Sequence, residues 1–220
     1  MKLLIFSEGP SDVGSPTASW DVGAHGAIRA LTASVLARRF GRAINEWEIE
    51  VEHLPRLQRT NGFPSKVVAA IRLARSRQCT SAAIVIDNDR TGDRRLRLLS
   101  EGRDDALADG DPSMAALANH TALGVAVECM EAWLLADEGA LSRAAEAEIA
   151  RQPDPETFQG RPGEADHPKA RLASVLALHE GDKHPAELRE AAARNANPEN
   201  VAARCPSFKK YADELRQRVT

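Results

Sequence analysis

A chain of 220 residues, 43% hydrophobic and 28% charged, has the composition of an ordinary globular protein with material for one sizeable core and an appendage. Its net charge of -3 supplies no global attraction for nucleic acid or an acidic membrane, so any polyanion must be held by local contacts. No apolar run approaches the roughly 20 residues of a membrane span, and the scattered Cys79, Cys129 and Cys205 point to free thiols in a reducing cytoplasm, against disulfides or a zinc site.

The first element is a short apolar run, Leu3-Leu4-Ile5-Phe6, ending in Ser7-Glu8-Gly9-Pro10-Ser11-Asp12. It reads as a strand and a tight turn, and it is too short and too soon followed by Glu8 for a secretory leader. Over residues 22–39 the positions Ile28, Leu31, Val35 and Leu36 fall at helical spacing, with Gly41 as the stop. Trp47, Ile49 and Val51 then alternate with Glu48, Glu50 and Glu52, which predicts a strand near a sheet edge with one solvated face. Ser65 caps a helix burying Val67, Val68, Ile71 and Ala74.

The next stretch organises the chain: Ala82-Ala83-Ile84-Val85-Ile86 runs into Asp87-Asn88-Asp89. An uninterrupted apolar run rich in β-branched residues predicts a buried parallel strand. Two aspartates beyond its carboxyl end fall where ligands bind in open α/β sheets. A helix follows from about Asp93, with Leu96 and Leu99 inward and Arg90, Arg94, Arg95 and Arg97 around it. Arg94 and Arg97, three apart, share a helix face, which turns Arg95 and Leu96 elsewhere. Arg90 and Arg94 are the candidate phosphate contacts.

A stretch over residues 107–119 broken by Gly, Asp and Pro leads to a fourth strand over residues 123–127 ending in Glu128. Residues 129–137 read as a helix, placing Glu131 on a face with Glu128. After Gln152 come Pro153, Pro155, Gly160, Pro162, Gly163 and Pro168, which mark a loop. Helical segments then begin at Pro168, Pro185 and Ser207. The expectation is an α/β fold: a mostly parallel four-stranded sheet flanked by helices over residues 1–150, with a loop and an α-helical C-terminal extension over 151–220 packed on it.

Glu8, Asp12, Asp87, Asp89, Glu128 and Glu131 all map to the carboxyl ends of predicted strands. Crowded carboxylates repel unless a cation or proton neutralises them. With no cysteine or histidine among them, the donor set suits Mg²⁺ or Mn²⁺. Hard metals held by acids serve phosphodiester chemistry.

An early strand ending in Glu8-Gly9 and a later one ending in Asp87-Asn88-Asp89 resemble the topoisomerase–primase (Toprim) family, in particular small versions similar to the nuclease domain of OLD-family nucleases. Residues 127–137 and Cys205-Pro206-Ser207-Phe208 resemble blocks of uncharacterised single-domain Toprim-like proteins. The resemblance implies Glu8 as general acid or base, Asp87 and Asp89 as metal ligands, and Asp12, Glu128 and Glu131 as additional acids. It also implies Lys169 as a catalytic lysine. The expected activity is metal-dependent cleavage of DNA or RNA, with an ATPase partner in phage defence and a homodimer as compatible assemblies. A topoisomerase needs a nucleophilic tyrosine in another domain, and the sole tyrosine is Tyr211. A primase needs a zinc module that three scattered cysteines cannot build.

Two alternatives stay open. Asp87-Asn88-Asp89-Arg90-Thr91 also fits the pattern of haloacid-dehalogenase-like phosphatases, with Asp87 as nucleophile, although that family carries the motif on its first strand and Glu8 would be left without a role. The chain has no P-loop, so a third reading is a non-catalytic partner of an ATPase.

Overall fold

The computed structural model describes residues 1–8, 26–41, 46–55, 62–88, 92–158, 160–161, 164–177 and 185–220. Four strands, β1 (Lys2–Ser7), β2 (Glu48–His53), β3 (Ser81–Asp87) and β4 (Thr121–Ala126), form one all-parallel sheet in the order β2-β1-β3-β4. Ten helices accompany them among the described residues: α1 (Ala27–Phe40), α2 (Phe63–Ser76), α3 (Arg94–Leu107), α4 (Pro112–Asn119), α5 (Glu131–Leu134), α6 (Glu138–Ala145), α7 (Pro168–Ala177), α8 (Pro185–Asn195), α9 (Pro198–Arg204) and α10 (Pro206–Arg218). No described helix is long and apolar enough to cross a membrane.

The continuous apolar runs of β1 and β3 are buried because helices cover both faces of the sheet. On one face Leu3, Ile5, Ala83, Val85, Ala122 and Ala126 meet α1 and the helices after residue 130. On the other, Leu4, Phe6, Ala82, Ile84, Ile86 and Leu123 meet α2, α3 and α4. β2 is an edge strand, as its alternation predicts, and its glutamates are ion-paired: Lys2 with Glu48 and Glu50, Arg77 with Glu50 and Glu52.

Several boundaries differ from those the sequence pattern predicts. The broken stretch before β4 contains α4, because Asp111 accepts from Ser113 N at 2.8 Å and Pro112 occupies the first turn, so Asp-Pro starts a helix here. β4 ends at Ala126, and Glu128 lies beyond it with φ 58°. The helix expected over residues 129–137 is the single turn α5. Glu128 therefore precedes that helix in a left-handed conformation and shares no helix face with Glu131. The C-terminal segment folds back over the sheet: Tyr211 of α10 is fully buried, and a Cβ on Gly124 of β4 would come within 2.7 Å of its ring.

Candidate functional site

The chain runs from β1 to β2 through α1 on one face and from β2 to β3 through α2 on the other, so the strand order reverses between β1 and β3. The crevice at the carboxyl ends of two such strands is the ligand position of open α/β sheets. Glu8 follows β1 and Asp87 ends β3. Ser7 pairs with Val85, so the two acids end adjacent strands within one residue of the same level.

The pleat turns them to opposite sides of that crevice. Glu8 continues the even-numbered side of β1 with Leu4 and Phe6, and its Oε2 receives Arg95 Nη1 at 2.5 Å. Asp87 continues the side of Ala83 and Val85, and its Oδ1 accepts from the backbone N–H of Met130 at 3.1 Å. Each carboxylate is thus oriented by a different layer of the fold.

The inward face of α3 differs from the Leu96–Leu99 stripe that the sequence predicts. The buried positions of that helix are Leu99, Gly102 and Ala106, and stepping back four residues from Leu99 reaches Arg95. Arg95 therefore faces inward, its side chain 19% exposed, and its guanidinium lies 5.8 Å from the Phe63 ring centroid. Arg94 is exposed at the first position of the helix. Asp12, Asp89 and Arg90 lie outside the described residues.

Beyond β4, Glu131 is 4% exposed at the start of α5. Burial first, then the charges of Glu131 and Asp87, push the Cys129 thiol well above its ordinary value. A thiol so held stays protonated and is no nucleophile. All three cysteines are free. Lys169 is exposed in the first turn of α7, where its backbone N–H donates to His167 Nδ1 at 3.2 Å. Among the described residues, no contact joins its side chain to the strand ends.

A second polar assembly, joining the two blocks around Trp133 and Ser207 to Glu156, supports α5. Ser207 Oγ accepts from Trp133 Nε1 at 2.8 Å and donates to Glu156, whose carboxylate also accepts from Ser207 N at 3.2 Å. Desolvation raises the Glu156 carboxyl above its usual range, with the Ser207 bonds opposing the shift. The Cys205-Pro206-Ser207-Phe208 block thus serves the fold, because it starts α10 and packs Phe208 edge-on against Trp133 at 5.2 Å between ring centroids.

Glu8, Asp87, Glu128 and Glu131 are all oxygen donors, and a hard divalent ion fits that chemistry. Among the described residues, no three histidine, cysteine or acidic side chains form a group able to hold a metal. Glu8 and Asp87 stand as separate walls of the crevice.

No curated protein and no solved structure matches the chain. A family described as a domain of unknown function, DUF4276, matches residues 27–216, which takes in α1 through most of α10, includes Asp87 and begins after Glu8. The chain belongs to the DUF4276 family.

Proposed function

We propose that this chain is a Mg²⁺- or Mn²⁺-dependent phosphodiesterase acting on DNA or RNA at the carboxyl edge of β1 and β3. The observation that carries the reading is the placement of Glu8 and Asp87 on adjacent strand ends at the point where the strand order reverses. A bound divalent ion would offset charge on the phosphoryl oxygens and lower the pKa of a water. Asp87, one of whose oxygens accepts from Met130 N, is the ligand at the end of β3 that the motif assigns to the ion. Asp89 follows two residues on and is assigned the same function by its position in the motif.

Glu8 is the proton-transfer group, and Arg95 is the positioning residue that holds it. Arg95 also brings a cation to Glu8 at the strand end, and a guanidinium matches phosphate oxygens as well as carboxylates. Glu128 and Glu131 follow β4 next to β3 and serve as outer acids of the site. Arg94 and Arg90 are assigned to the approaching phosphate backbone, Asp12 to the Glu8 side, and Lys169 to the outer rim. An ATPase partner and a role in phage defence belong to the same reading.

Cleavage of plasmid and of unpaired DNA and RNA with Mn²⁺ tests it. Wild type should cut, Glu8→Gln should lose cutting while keeping metal affinity, and Asp87→Asn should lose both. Normal cutting by Glu8→Gln, with a small phosphate ester hydrolysed in an Asp87-dependent way, would favour the phosphatase reading.

A further inference from the structure

One groove leaves the candidate site along the free edge of β4, between α3 and α10. Its inner part, a cavity of about 80 Å³, takes in Asn88, Leu96, Val125 and Lys210. Its outer part, about 330 Å³, shares Leu96, Leu123 and Lys210 with the first. The two are therefore continuous, and they begin at the residue between Asp87 and Asp89.

The groove has a blocked end and an open end. Ladder bonds from Ala82 N to His120 O and from Asn88 N to Ala126 O turn the even-numbered residues of β4 toward β3. The odd-numbered residues then present their N–H and C=O groups to the free edge. Thr121 O is taken by Arg103 at 3.2 Å, Leu123 N by Glu214 at 3.4 Å and Val127 N by Ser207 Oγ at 3.4 Å. Arg103 and Glu214 pair across the edge at 2.7 Å and close its far end. Between these stoppers the N–H and C=O of Val125 have no partner among the described residues. A donor and an acceptor side by side on a sheet edge, beside the aliphatic Leu96, are what a nucleobase edge satisfies.

Two of the three acids along the groove are held in ion pairs, Asp213 by Arg216 and Glu214 by Arg103 and Arg218, while Asp93 at the inner mouth has none among the described residues. Lys210, exposed on the wall common to both cavities, has no ion-pair partner among the described residues. A cation in no close ion pair, above a slot that offers a backbone donor and acceptor beside Leu96, matches single-strand binding, in which a groove tracks the phosphates and takes in the bases. A paired base has its edge occupied and cannot enter.

We infer that this groove holds one nucleotide of an unpaired nucleic-acid strand, its base against Leu96 and the Val125 backbone and its phosphate on Lys210, next to the candidate cleavage site. The inference rests on the phosphodiesterase reading for its orientation but is tested by binding alone. The probe is a fluorescein-labelled mixed-sequence oligomer of about 8 nucleotides, as DNA and as RNA, unpaired and as a duplex, followed by anisotropy in EDTA. Wild type should bind the unpaired oligomer more tightly than the duplex. Lys210→Glu, at an exposed site, and Leu96→Trp, which fills a half-buried part of the groove, should each weaken binding about fivefold or more. Arg72→Glu, on α2 with its partner Asp109, should stay within about twofold of wild type.

Undetectable binding, preference for the duplex, unchanged affinity in the two groove variants, or an equal loss in Arg72→Glu would each overturn the inference. Cleavage by wild type with unaltered KM in the groove variants would leave the active-site reading standing and remove the groove. Groove-dependent binding with no cleavage under Mn²⁺ would do the reverse.

Discussion

The two faces of the sheet are built by different means. The helices of one face, α2, α3 and α4, come from one stretch of chain, residues 63–119, and meet β1, β3 and β4 through apolar contacts that include Phe6. The opposite face draws α1 from one end of the chain and α5 to α10 from the other, and it holds the stacked Trp133–Tyr211 pair at 5.7 Å with Phe208 beside it. Each face depends on one glycine that allows a close approach. A Cβ on Gly102 would lie 2.6 Å from Pro64 O, where α3 crosses α2. The corresponding Cβ on Gly124 would meet Tyr211, where α10 crosses β4. The candidate site needs both layers, since Arg95 reaches Glu8 from the first and Met130 N reaches Asp87 from the second.

Removing the aromatic anchor of the long-range face should cause the largest loss. Tyr211→Ala should lower unfolding free energy by about 3–5 kcal/mol, read from urea denaturation. Tyr211→Phe should cost less, about 1–3 kcal/mol, because only the 2.8 Å bond to the buried Thr32 hydroxyl is lost. Gly102→Ala and Gly124→Ala should each cost about 1–3 kcal/mol through overpacking. Equal stability of either variant with wild type would show that its close approach is dispensable.

Arg95→Ala should separate stability from activity. The Glu8–Arg95 pair is partly exposed, so unfolding should move by only about 0–1 kcal/mol. The cleavage rate should fall about tenfold or more if Arg95 positions Glu8. A fall in stability with cleavage unchanged would make the pair structural only.

The smallest effect is a pH dependence. Because the folded Glu156 carboxyl titrates above its ordinary 4.5, the folded state binds that proton more tightly than the unfolded chain does. Its contribution to stability is complete below about 4.5 and is lost as pH rises through the raised folded value. Glu156→Gln, which keeps an acceptor for Ser207, should flatten that decline in a series of urea midpoints against pH. A decline as steep as that of wild type would assign it to another group.

The sheet was legible because β1 and β3, buried on both faces, read as unbroken apolar runs, and because β2 alternates at an edge. The acids at their ends were legible for the same reason, since aspartate and glutamate after such runs stand out. The register of α3 was not. Leu96 and Leu99 suggested one inward stripe, whereas packing against Pro64 and Val67 sets it through Gly102 and brings Arg95 inward. Nor could local sequence reveal that Glu128 turns left-handed, or that Asp111-Pro112 begins a helix where it also reads as a break. The roles of Tyr211, Ser207 and Glu156 depend on contacts 50 or more residues apart in the chain, which periodicity does not encode.

The central claim is that the carboxyl edge at β1 and β3 takes a divalent ion. Titration of the metal-free protein with Mn²⁺, followed by calorimetry, tests it most directly when wild type, Asp87→Ala and Asp89→Ala are compared at matched thermal unfolding. The expected result is saturable binding by wild type and loss of about tenfold or more in affinity in each variant, with unfolding still cooperative. Equal Mn²⁺ affinity in all three proteins, or no binding by wild type, would contradict it.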